Sequence, residues 1–108
     1  MALYNAQTYS TTGTKASVNL DASIAPFQVS VVCTLTAGTV SYKVQYSLDP
    51  ETIADSDATW NDSTGIPAST TASAATTFVG PVSRVRVVIG SLSGGSLVVQ
   101  VRQGFTVN

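Results

Sequence analysis

The chain has 108 residues, a formal net charge of −1, 44% hydrophobic residues and only 10% charged ones. That length supports a single core without metal or disulfide help, and apolar content of this size argues against intrinsic disorder. The near-neutral balance supplies no field to draw in nucleic acid or an anionic membrane.

Ser and Thr make up more than a quarter of the chain. With much Val and few helix-forming Leu, Glu or Lys, this composition favours pleated strands, so the expected class is all-β. No apolar run approaches the roughly 18 residues of a membrane helix. The opening MALYNAQTYSTTGTK lacks the apolar segment of a signal peptide. These features lead us to expect a protein made in a cytoplasm that has neither membrane nor nucleic acid as a partner.

Residues 1–14 are polar and without a clear period, and read as an N-terminal arm preceding a single domain over 15–108. The arm is expected to be frayed, with a short edge strand near Thr8 to Thr12. Alternatively, it orders against a partner with Tyr4 and Tyr9 as anchors. From Lys15 to Ala22 the alternation is clean, with Ala16, Val18, Leu20 and Ala22 on one face, as in a half-buried strand.

Pro26 opens the most regular stretch, PFQVSVVCTLTAGTVSYKVQYSL. Phe27, Val29, Val31, Cys33 and Leu35 occupy odd positions; after Ala37-Gly38, Val40, Tyr42, Val44, Tyr46 and Leu48 occupy even ones. A hairpin with a loop of two or four residues satisfies that switch. It would set Leu35 against Val40, Val31 against Val44 and Phe27 against Leu48, with Gly38 supplying a positive φ. Cys33, the sole cysteine, lies in phase with the apolar row and reads as a small buried hydrophobe.

Asp49 to Asp62 is an acidic loop with five of the six acids and the only tryptophan, Trp60. It is expected to fold back as a lid over one end of the core, or to offer Trp60 for ligand stacking or a subunit contact. Gly65 to Ser73 reads as an exposed linker and Ala74 to Val79 as a short strand. Val85, Val87 and Ile89, then Leu97, Val99 and Val101, read as a second hairpin across GSLSGGS, with Phe105 and Val107 keeping its phase. The count points to an antiparallel β-sandwich of seven or eight strands, jelly-roll or Ig-like.

Catalytic chemistry finds little to work with. The chain has no histidine and one cysteine, which removes histidine-based triads and structural zinc sites. The acids Asp49, Glu51, Asp55, Asp57 and Asp62 could ligate calcium, but their spacing lacks the EF-hand glycine, and a solvated loop is the simpler reading. An enzyme is not expected, and neither is a cofactor.

The outward face remains. Val32, Val88 and Val98 interrupt its polarity and would form an apolar patch if they cluster. Arg84, Arg86 and Arg102 are expected to share the outer face of the last hairpin, either as a solvated stripe or as the complement to the acidic loop of a neighbouring copy.

The order YKVQYSLDP, an acidic loop ending in ATWND, a Ser/Thr linker, PVSRVRVVIG, a glycine turn and GSLVVQVRQG resembles small β-sandwich virion structural proteins of tailed bacteriophages over about residues 38–104. These decorate or cement capsids or form fibres. The resemblance implies a protein of the virion that assembles as a homo-oligomer, with a trimer favoured, and binds the major capsid protein. Its N-terminal segment, carrying Tyr4 and Tyr9, would be the shell contact. A fibre or tail component, acting as a receptor- or glycan-binding module or a tail-tube or connector protein, is the alternative within the same resemblance.

Overall fold

The computed structural model describes residues 3–20, 28–50, 52–67, 70–79 and 82–103. Nine strands are described: β1 (Leu3–Tyr9), β2 (Gly13–Thr14), β3 (Val18–Asn19), β4 (Val29–Leu35), β5 (Thr39–Ser47), β6 (Asn61–Asp62), β7 (Ala74–Phe78), β8 (Arg84–Ser93) and β9 (Leu97–Gln103). They form two antiparallel sheets packed as a β-sandwich, the expected class. The first sheet runs β1-β9-β4-β7; the second runs β2-β8-β5-β6, with β3 also on β8.

The period-2 pattern does the packing. Val29, Val31 and Cys33 of β4 and Leu97, Val99 and Val101 of β9 meet Val40, Tyr42 and Val44 of β5 and Val85, Val87 and Ile89 of β8 in one buried cluster. Tyr46 of the second sheet and Phe78 of the first touch across it, ring centroids 5.4 Å apart. Burial pushes the Cys33 thiol up to about 12, so it packs as a hydrophobe and is inert at neutral pH.

The two expected hairpins are corrected. β4 pairs with β9 and β7, and β5 with β8 and β6, so neither β4–β5 nor β8–β9 is a pair. Each predicted turn is instead an arch from one sheet to the other, and the two arches are stacked. Counting phases could not separate these cases, because inward rows that pair within a sheet and inward rows that face across a core have the same parity.

The pairing forms a ribbon bent at a corner. It runs in one register from Val29↔Gln103 to Leu35↔Leu97, turns, and resumes at Thr39↔Ser93. At the corner Thr36 N donates to Ser96 O at 3.1 Å. Gly38 and Gly95 have φ of 71° and 74°, and a Cβ at either would run into the backbone of the opposite arch, at Gly94 and Ala37. Past the corner Gly90 is left unpaired between Ser41↔Ser91 and Tyr42↔Ile89, a bulge that returns the β8 apolar row to the core.

Two further expectations change. Leu3–Tyr9 is a seven-residue strand on β9, not a frayed arm with a short strand near Thr8 to Thr12. Its own row of Asn5, Gln7 and Tyr9 opposes Val101, Val99 and Leu97, and a mostly polar inner row is what hid the strand from periodicity. The stretch 65–73 is not simply an exposed linker: Ile66 is fully buried and its carbonyl accepts from Val44 N. Val18 and Leu20 turn inward as expected along the β8 edge. Ala22, Phe27, Glu51, Phe105 and Val107 lie outside the described residues.

Candidate docking surface

Because β8 and β9 belong to different sheets, the expected arginine stripe is divided. Arg84 and Arg86 lie on the second sheet and Arg102 on the first. The valine cluster divides likewise: Val88 is on the second sheet, Val32 and Val98 on the first.

On the second sheet the outward row of β8 is covered. Arg84 is only 3% exposed. Its Nη1 donates to Asp55 Oδ1 at 2.6 Å, and its Nη2 to the Pro50 and Ile53 carbonyls at 2.8 and 2.6 Å. Four residues away in the loop Thr59 N donates to the Asp49 carboxylate of the same loop's start, and Trp60 Nε1 donates to Asp55 O. Trp60 then lies over Arg86, whose guanidinium is 4.0 Å from the ring centroid.

The acidic loop therefore closes on the outer face of its own sheet, clamped by Arg84, instead of capping the core's end. The expected charge match between arginines and this loop exists, within one copy. Ser17, on the neighbouring edge, also donates to Asp55. Partial burial alone would raise the Asp55 pKa, but the Ser17 and Arg84 hydrogen bonds and the Arg84 charge hold it below the ordinary carboxylate range.

Beside the loop, Arg86 Nε donates to Gln45 Oε1, Gln45 Nε2 donates to Asp62, and Lys43 pairs with Asp62 at 3.2 Å. Asp49, Asp55 and Asp62 thus serve separate sets of donors: the Thr59 amide, Ser17 with Arg84, and Gln45 with Lys43. Among the described residues no three acidic, histidine or cysteine side chains group as a metal site would require.

The outer face of the first sheet is built otherwise. One row across its four strands reads Tyr4, Arg102, Ser30, Thr77; the next reads Ala6, Gln100, Val32, Ala75; a third holds Thr8, Val98 and Thr34. Most are small, all are exposed or half-buried, and Arg102 is the only charge among them. Its guanidinium lies 4.7 Å from the Tyr4 ring centroid, and Tyr4 OH accepts from Gln100 Nε2 at 2.9 Å. Tyr4 is 51% exposed and Val32 36%. Arg102 has no carboxylate partner among the described residues.

This is a small-residue platform with a shallow open depression lined by Tyr4, Ser30, Val32, Gln100 and Arg102, with the aromatic–cation pair at one side and Val98 in the next row. Tyr9 falls elsewhere: it is part-buried against the core, 5.5 Å from Lys15 Nζ, and burial raises its hydroxyl pKa. Ile66, Ser17, Gln45 and the loop carbonyls that hold Arg84 were not foreseen; the charge match of arginine and acidic loop was the one signal pointing there.

No family model, no curated protein and no solved structure matches this chain. No helix of the described residues is long and apolar enough to cross a membrane.

Proposed function

We propose that this chain is a virion structural protein of the capsid-decoration type, which binds the major capsid protein of an assembled head and stabilises it without catalysing a reaction. The observation that carries this reading is the outer face of the first sheet, which no described segment covers. A small-residue surface with a shallow depression lets another protein approach closely and seat a side chain, and aromatic and arginine side chains are the residues that most often dominate protein–protein contacts. Tyr4 and Arg102 supply that pair, stacked on each other and held by Gln100, with Val32 beside them.

The phage resemblance supports the same reading, with Tyr4 as the contact and Tyr9 removed from it. The glycan-binding alternative would need a free aromatic platform near a loop end. Trp60 is stacked on Arg86 with its indole N–H already bonded, which disfavours that role.

The test is to mix the protein with capsids that lack it and image them. Saturable density at regular lattice positions is expected. Capsids that remain bare at saturating protein would overturn the proposal.

A further inference from the structure

The two long sides of the sandwich are finished differently. Beside β6 and β7 the 63–67 segment closes the gap: Ile66 is fully buried there, and Gly65 packs against Thr76 so closely that a Cβ would meet its side chain. On the opposite side β1 is the outermost strand of the first sheet, and the chain crosses to β2 on the second. Between them runs an open groove lined by Asn5, Gln7, Tyr9, Ala16, Ser17 and Val18. Neither the Asn5 nor the Gln7 amide has a side-chain hydrogen-bond partner among the described residues.

Among the described residues nothing covers the outer edge of β1. It is seven residues long, pairs with β9 without a bulge, and contains no charge and no proline. Charges, prolines, bulges and brevity are how sheets discourage pairing with another chain. The second sheet uses brevity: its edges β2, β3 and β6 have two residues each, with Lys15 and Asp62 in or beside them.

We infer that two copies of this chain pair through β1, antiparallel, about a two-fold axis at Ala6, joining two four-stranded sheets into one continuous sheet. Only a register pairing odd with odd keeps both cores on the same side. Centred on Ala6, it sets Asn5 of each copy against Gln7 of the other, two amides able to hydrogen-bond each other over the open groove. Tyr4 then opposes Thr8 of the other copy on the outer face, and no like charges meet. Such a contact is isologous and closes at two copies, where the phage resemblance implies three. It would also double the outer platform, placing two Tyr4–Arg102 pairs on one surface. The inference rests on the edge alone and does not depend on what that platform binds.

The test uses the full chain by itself, so its outcome is separate from capsid binding. Sedimentation equilibrium at about 100 μM suits the small contact of one strand pair and is expected to give a dimer mass. Ala6 is exposed, and Ala6→Lys should shift the mass to the monomer while leaving the far-UV circular dichroism unchanged. Ala6→Cys should oxidise to a covalent dimer, because directly opposed residues of an antiparallel pair lie within disulfide reach and Cys33 is buried. If Ala6→Lys does not fold, the cysteine variant decides. A wild-type monomer or trimer at this concentration, a dimer that Ala6→Lys leaves intact, or an Ala6→Cys protein that stays monomeric under oxidant would each overturn the inference.

Discussion

On the second sheet the outward row of β8 begins with Arg84 and Arg86, and the loop leaving β5 folds over both. On the first sheet the outward rows of β9 and β4 carry Arg102 and Val32, and no described segment covers them. The starting pattern is the same alternation of apolar and polar residues. The difference lies in what the chain places nearby: an acidic loop of matching charge follows β5, whereas the first sheet's strands are joined by short or remote connections. An arginine on a strand's outer face therefore says nothing by itself. On one sheet it is a structural clamp, on the other a cation stacked on Tyr4 with no carboxylate partner among the described residues.

That contrast can be broken by mutation. Arg84→Ala removes three part-buried hydrogen bonds to the loop, and their acceptors remain within reach of water. Because the Asp55 side chain is 39% exposed and screened by solvent, the loss should be about 1.5–3 kcal/mol, the range of a charge-assisted hydrogen bond, which denaturant unfolding would read, whereas Arg102→Ala should stay within about 0.5 kcal/mol. Equal losses at the two sites would erase the distinction. Trp60→Ala should cost about 1–2 kcal/mol, from the arginine contact and lost packing. It should also raise proteolysis within residues 49–62, while Tyr4→Ala leaves the protease pattern unchanged.

Acid should act on the covered face first. The Asp55 carboxyl is held below its ordinary value by the fold, so its contribution is fully present above the unfolded carboxylate range near pH 4 and is lost as pH falls through the lowered folded value. Asp62 is lowered in the same sense, by Gln45 and then Lys43. Trp60 emission should shift on acidification before the circular dichroism of the sandwich changes, and Asp55→Asn should remove most of that early shift. The smallest effect lies inside: Cys33 should not react with a thiol reagent until the protein unfolds, since burial keeps its thiol protonated.

Strand positions and inward rows were legible because a buried residue at every second position is a direct consequence of pleating. Val29, Val31, Val44, Val87 and Val99 could all be placed inside from their phase. Which strands pair was not legible. Val31 and Val44 have the parity of hairpin partners, and they have it equally when they sit in opposite sheets, so the stacked arches needed three-dimensional information. β1 was obscured because Asn5 and Gln7 stand on its inner row, at an open edge where polar groups remain hydrated. The charge partners Arg84 and the 49–62 loop were visible as complementary, but not that one copy would supply both.

The claim that the outer face of the first sheet is a docking surface is tested most directly by one charge on each face. Val32→Glu places a carboxylate in the middle of the platform, and Ser91→Glu places one at an exposed position on the other sheet, away from the loop. Capsid binding by these two variants should be measured beside wild type, with both confirmed as folded. The account predicts that Val32→Glu weakens binding at least about 30-fold, on the order of the 2 kcal/mol that defines a hot spot, while Ser91→Glu binds as wild type. Binding lost in Ser91→Glu and kept in Val32→Glu would contradict it.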